Sequence, residues 1–565
     1  MTNSEIADLI KLYANLYELH DGNPFKVKSY SVAAFKIDKL TIPLIGKNIQ
    51  ELELIDGVGK SLASKIYEIN TTDTFLELEE LLNKTPEAIL QMMKIKGIGP
   101  KKIAFIWKEL GIENIGELLY ACQENRIAQA KGFGLKTQEN IIRQIEFMFA
   151  SSNKFHYAKL ETIAADLLEE IKNYFGEVDE GGMISDISFS GDLRRKCEIL
   201  NQIDLIVAVA DTKEFKELIK TADLLTDIII NEDFVEGKIK ETIPVKIFIS
   251  DESDFVKNLF LQTGSQSHLQ LLNYPEPSIL NPESEELFYQ SIGMQYIEPE
   301  LREGTFEVEK AKENKLPKLI ELSDLKGILH NHSTYSDGAN SLEEMAVYCK
   351  ELGYEYLGIC DHSKSAFYAS GMKAETILKQ HAEIDLLNKK LFPFKIFKGI
   401  ESDILNDGSL DYSNEILSSF DFIVASVHSN LKMTEEKAML RLIRAIENPY
   451  TTILGHPTGR LQLIREGYPI DHKKIIDACA VNGVVIEINA HPYRLDLDWR
   501  WVDYAMNKNV KLSINPDAHE RAGYHDMYYG VCVARKGGLY KEMCLNSMNL
   551  EEIAKYFSNR KPALF

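Results

Sequence analysis

Seven short apolar runs recur between residues 326 and 519, and each carries His, Asp or Glu at its end: KGILHNH, YEYLGICDH, FKIFKGIE, FDFIVASVH, YTTILGHP, GVVIEINAH and VKLSINPDAH. Helical stretches separate them. One of these, SLEEMAVYCKELG, opens with the Ser341 and Glu344 of a capping box. Strand and helix in alternation, with the polar group always at the same end of the strand, predict a (β/α) barrel. Functional side chains of such barrels gather on the rim formed by the C-terminal strand ends. Ten of the chain's thirteen histidines lie in this half.

The first run sets the chemistry. In ILHNHSTYSDG, His330 and His332 stand two residues apart and so share one face of an extended strand end, with Asp337 on the loop behind. The same rim collects His362, Glu401, His428, His456, Asp517 and His519, nine candidate metal ligands in all. A lone histidine such as His381 or His472 reads as an ordinary core or surface residue. Six histidines with three carboxylates, all at strand ends, do not. Imidazole mixed with carboxylate favours zinc, manganese or iron, and nine ligands exceed the needs of one ion. Two or three divalent ions are expected, bridged by Glu401. Closely spaced ions clamp phosphate oxygens and acidify a bound water, so the expected reaction is phosphoester hydrolysis. Asp337 and Glu401 serve it as ligands, and Arg460 and Arg494 offer forked hydrogen bonds to a phosphate.

The motifs HxH with SDG, then DHS, GIE, SVHS, GHPTGR and DAH, resemble those of a PHP domain (polymerase and histidinol phosphatase) in order and spacing across residues 318–565. That resemblance implies a distorted (β/α)7 barrel with a trinuclear metal centre. Ile328 departs from the pattern, since the family often has an aspartate just before HxH. The departure removes a hydrogen bond to a ligand rather than a ligand, and loosens metal affinity.

The N-terminal region is of another kind. IDGVGKSLASKI (55–66), IKGIGPKKIAFI (95–106) and AKGFGLKTQENI (130–141) each join a hydrophobic residue, Gly-x-Gly, a nearby lysine and a helix start. Glycine permits the tight turn, and a helix N-terminus aims backbone N–H groups at a phosphate. Three such helix-hairpin-helix patterns predict sequence-independent DNA binding through Gly57, Gly59, Lys60, Gly97, Gly99, Lys101, Lys102, Gly132 and Gly134, with Lys136 adding charge. Charge distribution agrees. The whole chain carries −22, yet residues 1–150 hold 18 Lys+Arg against 20 Asp+Glu, and the other −20 lies beyond them.

Hairpins, a mixed α/β middle and a PHP domain, in that order, resemble the bacterial family X DNA polymerases over nearly the full length. NPFKVKSY (23–30), QTGSQSH (262–268) and YIEPELREG (296–304) are further landmarks. The resemblance implies a helix-hairpin-helix lyase-like domain (1–85), hairpin fingers (86–150), a nucleotidyltransferase-like palm (151–250), a thumb (251–302), a charged linker (303–317) and the PHP domain (318–565). Lys65 stands where some relatives keep a Schiff-base lysine; its own sequence context reads as an exposed helical lysine.

Polymerisation in that family requires three aspartates holding two magnesium ions. The matching positions here are Gln202 and Asp204 in NQIDLIVAV and Lys246 in IPVKIFI. Lys246 brings positive charge where a cation belongs and is expected to pair with Asp204. In SGDLRRKCE the loop keeps Gly191, Arg194 and Arg195, but Asp192 replaces the usual serine and repels a triphosphate. These changes predict a degenerate palm without a magnesium pair, kept as scaffold. The expected protein is thus a metal-dependent DNA phosphoesterase, a 3′-5′ exonuclease or abasic-site endonuclease, on gapped, nicked or abasic duplex. The alternatives are a working gap-filling polymerase, a small-molecule phosphatase of histidinol-phosphate type, and a non-enzymatic DNA-binding scaffold. No apolar run is long enough to span a bilayer, and the seven scattered cysteines form no CxxC pair, so a reduced cytoplasmic protein is expected, monomeric by default.

Overall fold

The computed structural model describes residues 1–40, 42–55, 58–95, 97–150, 154–176, 182–240, 242–273 and 282–560, and the chain divides into two units, Met1–Glu146 and Phe147–Phe565. Among its described residues, the regular elements of the first unit are all helices. Its first helix, Asn3–Leu19, begins at a capping box between Thr2 and Glu5 and buries Ile6, Ile10, Leu16 and Leu19 on one face. The spacing of these residues is that of an amphipathic helix packed on neighbours.

In the second unit a five-stranded sheet is built from β1 (Ile184–Phe189), β2 (Ile203–Val209), β3 (Thr226–Ile230), β4 (Phe234–Ile239) and β5 (Ile243–Ser250). Their order is β1-β2-β5-β4-β3, with β2 and β5 parallel and Asp204 opposite Lys246. All seven residues of β2 are buried, as expected of a central strand.

The segment read as a linker is structured. Glu307–Lys312 is a helix with Glu307, Val308 and Ala311 buried. Its charge obscured its packing because the charges are paired in three dimensions. Glu307 accepts hydrogen bonds from Gly304 N and Thr305 N and contacts His268 Nδ1 at 2.8 Å. His268 also meets the Tyr289 hydroxyl at 2.9 Å, and buried Arg302 is tied to Glu285 and to the Ile297 carbonyl. The QTGSQSH and YIEPELREG stretches thus meet in one buried polar network.

All seven apolar runs become parallel strands: β6 (Gly327–Ile328), β7 (Tyr356–Ile359), β8 (Lys395–Asp403), β9 (Phe422–Ser426), β10 (Ile453–Leu454), β11 (Val485–Asn489) and β12 (Leu512–Asn515). They are ordered β6 to β12 without a crossover. Every residue of β7, β9, β11 and β12 is buried, which explains their near-continuous hydrophobicity. The capping box at Ser341 and Glu344 is present at the helix Leu342–Glu351.

The seam between β6 and β12 closes in two ways. At the C-terminal rim, Asn331 bridges Ala518, with His332 N donating to Ala518 O at 2.8 Å and Asp517 N to His330 O at 3.1 Å. Deeper in the seam, Asn546 substitutes for a strand partner. Its amide donates to Gly327 O at 3.1 Å and its side-chain oxygen accepts from Ile514 N at 2.8 Å.

Candidate metal centre

The nine ligands expected from the sequence converge on the rim. Eight are buried and His428 is partly so. Glu401, at the end of β8, is the hub. Its Oε1 lies 3.1 Å from His428 Nε2, 3.1 Å from His456 Nε2 and 3.3 Å from His330 Nε2. Its Oε2 lies 2.9 Å from His362 Nδ1 and 3.7 Å from His332 Nε2. Asp517 meets His332 at 2.9 Å, and Asp337 meets His519 at 3.5 Å and His362 at 3.6 Å.

Three groups have ligand atoms close enough to share one ion: His332, Asp337, His362 and His519; His330, His332, Glu401 and Asp517; and His362, Glu401 and His428. Each pair of groups shares one residue. His330 Nε2 and His332 Nδ1 are buried without a hydrogen-bond partner, which suits nitrogens that present a lone pair to a cation. The donor set of imidazole and carboxylate fits borderline divalent ions.

Electrostatics points the same way. Burial opposes charge on His428, but Glu401 and Asp403 outweigh it and hold the imidazole at about 10. Burial likewise opposes charge on His362, which Asp337 and Glu401 nevertheless raise to about 9. Glu401 and Asp517, despite burial, are held well below the carboxylate range by the imidazoles around them. A divalent ion entering such a cluster exchanges for imidazolium protons.

Three supporting carboxylates escaped the sequence reading. Glu487, in the middle of β11, contacts His330 Nδ1 at 2.7 Å and accepts from His456 N at 3.1 Å, Asn515 Nδ2 at 2.9 Å and Asn489 Nδ2 at 3.1 Å. It supplies a carboxylate to His330 from two strands away past the seam, while Ile328 is simply core. Asp403 lies 2.5 Å from His428 Nδ1. Asp361 gathers Ser333 N, Ser336 Oγ and Gln380 Nε2 and so fixes the loop that carries Asp337. A Glu between two isoleucines in a fully buried strand was the available signal for Glu487.

The two arginines part company. Arg494 is buried with Nε 3.7 Å from Asp517, at the edge of the cluster. Arg460 spends its guanidinium on Asp498 and the carbonyls of Arg494 and Leu495. It braces the turn that holds Arg494, and the expected phosphate fork at Arg460 gives way to that role.

In the first unit, Gly59, Gly99 and Gly134 each stand directly before a helix: Lys60–Thr72, Pro100–Lys108 and Leu135–Ala150. Gly59 and Gly99 contribute no side-chain cap. The left-handed turn falls on the first glycine of the later pairs, Gly97 (φ +97°) and Gly132 (φ +88°), where other residues are strained. Gly57 lies outside the described residues. Lys60, Lys101 and Lys136 are exposed, and Lys102 lies over the Phe133 ring at 5.0 Å. Lys65 is not exposed as expected. It is only 5% accessible, held over Tyr13 and Phe75 with its ammonium on Glu77. Its aliphatic stem packs with the aromatic pair while the charge finds a carboxylate.

In the five-stranded sheet, Gln202 Nε2 donates to Asp204 Oδ1 at 2.6 Å, and burial lifts the Asp204 carboxyl to about 6. Lys246 does not pair with Asp204 as expected. Its ammonium sits 3.7 Å from Glu236 and over the Phe234 ring, because Glu236 faces it from the neighbouring β4. Asp192 is bonded to Arg195, and Arg194 binds Glu285 and Thr263. Gly191 sits close under Asp204, where a Cβ would lie 2.8 Å from the carboxylate.

Comparison with known proteins gives three family matches: a helix-hairpin-helix domain over residues 1–75, a SAM-like helix-hairpin-helix tandem over 89–146, and a PHP domain over 329–491. The chain is 33% identical to the DNA polymerase/3′-5′ exonuclease PolX of Bacillus subtilis, over 98% of this chain and 99% of that protein. It is also 31% identical to a probable phosphatase of Acetivibrio thermocellus over 29% of this chain and 65% of the relative. A probable phosphatase of Thermoanaerobacter sp. is 26% identical over 41% of this chain and 94% of the relative.

Proposed function

The chain belongs to the PolX family of bacterial DNA polymerases with a C-terminal PHP domain, and from that premise we propose that it is a metal-dependent DNA phosphoesterase whose palm no longer polymerises. It acts as a 3′-5′ exonuclease or abasic-site endonuclease on gapped, nicked or abasic duplex, without sequence preference. The observation that carries the reading is the rim cluster: eight residues in three overlapping groups, with His456 joining them at Glu401. Two or three divalent ions, zinc or manganese with iron also suited, would be held by His330, His332, Asp337, His362, Glu401, His428, His456, Asp517 and His519. When bound, they polarise a phosphodiester and acidify the attacking water.

The chain's own residues do the rest. Glu487, Asp403 and Asp361 orient the ligands. Arg494, fixed by its turn beside Asp517, would offer its guanidinium to a bound phosphate. The hairpins hold the DNA backbone through helix N-termini and lysines. Loss of polymerisation is supported by Gln202 and Lys246 at two of three magnesium positions and by the engagement of Arg194 and Arg195 with carboxylates.

The test is a nuclease assay on gapped duplex labelled at either end, with manganese, with and without all four dNTPs, against His330→Ala plus His332→Ala protein. Stepwise 3′ shortening that vanishes in the variant, with no extension under any condition, is expected. Extension that survives the substitutions overturns the inactive palm. Hydrolysis of a small phosphomonoester without any action on DNA replaces the reading with a phosphatase.

A further inference from the structure

Between His362 and the helix Ala374–Lys390 runs the segment SKSAFYASGMK, with two lysines and no carboxylate, in the part of the chain that carries the excess of acids. It leaves the C-terminal end of β7, so it stands on the metal rim. The loop is firmly fixed. Ser363 bridges Met372, Met372 N donates to His362 O at 2.8 Å, and Lys364 N donates to the Tyr412 hydroxyl at 3.1 Å. Ser365 N donates to Asp411 at 2.6 Å. Gly371 has no room for a side chain, since a Cβ would lie 1.9 Å from Ser363 O.

On this fixed loop the burial pattern is inverted. Ala366, Ala369 and Met372 point inward and are buried, while Phe367 is 81% exposed. Tyr368 meets it edge-on at 6.0 Å, and the Tyr368 ring lies 6.4 Å from the ring of His362. Phe392, equally exposed, precedes β8 and so sits toward the opposite end of the barrel. A rigid loop that presents an aromatic ring to solvent, one residue from a ring beside a metal ligand and between Lys364 and Lys373, offers what an unpaired nucleotide needs. It has a π-face for the base and cations for the adjoining phosphates. We propose that this loop is a nucleobase subsite in which Phe367 stacks on the base of the nucleotide entering the metal centre.

The inference rests on the DNA phosphoesterase reading, and its test separates the two. Oligonucleotides ending in 2-aminopurine or in a reduced abasic nucleotide are compared on wild type, Phe367→Ala and Phe367→Trp. Phe367→Ala is expected to raise KM for the base-terminated strand by roughly 5- to 150-fold, with kcat little changed, since aromatic stacking is worth that much per base. Its KM for the abasic terminus stays that of wild type, and Phe367→Trp restores the base-terminated value. Quenching of 2-aminopurine on binding, read without turnover in calcium, is lost in Phe367→Ala alone. If wild type cleaves oligonucleotides and Phe367→Ala matches it in KM and quenching, the subsite is refuted and the phosphoesterase reading stands. If wild type cleaves no oligonucleotide while hydrolysing a small phosphomonoester, both fall.

Discussion

Replacing Glu487 by glutamine exchanges one buried carboxylate oxygen for an amide nitrogen and tests how the metal centre is held. The carboxylate receives four groups: the His330 ring at 2.7 Å, Asn515 at 2.9 Å, and the His456 amide and Asn489 at 3.1 Å. A carboxamide keeps one acceptor oxygen and turns an N–H pair toward donors that cannot receive it. The charge-assisted bond to His330 alone is worth about 1.5–3 kcal/mol. Orienting partners of metal-bound histidines carry about 10- to 100-fold in affinity, or roughly 1.4–2.7 kcal/mol, so the two estimates agree. The assay is competition with a chromogenic chelator, using zinc and manganese, beside metal content after dialysis and far-ultraviolet circular dichroism. Glu487→Gln is expected to lose 10- to 100-fold in affinity at the tightest site with secondary structure intact. An affinity within twofold of wild type would refute the claim that this carboxylate orients His330.

Burial raises the Asp204 carboxyl from 3.8 to about 6, so the native state binds its proton more tightly than the unfolded chain and stability declines as pH rises between those values. Asp204→Asn is therefore expected to gain about 2–3 kcal/mol over wild type at pH 7.5 and little at pH 4, read by urea denaturation. Arg302→Met leaves Glu285 with one cation fewer in a buried network and is expected to cost about 3–5 kcal/mol in the same measurement; a loss under 1 kcal/mol would contradict the pairing. Gly371→Ala forces the loop off Ser363 O and should reproduce the oligonucleotide KM of Phe367→Ala with metal content unchanged.

The barrel was legible in the chain because its strands are buried on both faces and its ligands follow each strand directly, so one rhythm encodes both fold and site. Supporting residues were harder to see. Glu487 lies inside an apolar run, where linear reading registers only the run. Arg460 has the right motif, but its engagement by Asp498 and two carbonyls is a matter of turn geometry that spacing does not reveal. Residues 303–317 look like a solvated linker because composition reports charge and not pairing; the burial of Glu307 depends on Gly304, Thr305 and His268. Lys65 misled for the same reason, its environment being set by Tyr13 from another helix and by Phe75 at the start of a third.

The seam joining β6 to β12 gives the metal centre a birth order. His332 and Asp517, 2.9 Å apart, are separated by 185 positions along the chain. At translation rates of about 5–20 residues per second, roughly 10–40 s pass between the synthesis of one and of the other. Through that interval the hairpins have already been made and the rim cluster has not. On the proposed reading, a nascent chain, or one cut short before β12, would keep its hairpins without the assembled cluster, and any power to cut would arrive only when the last strand completes the ring.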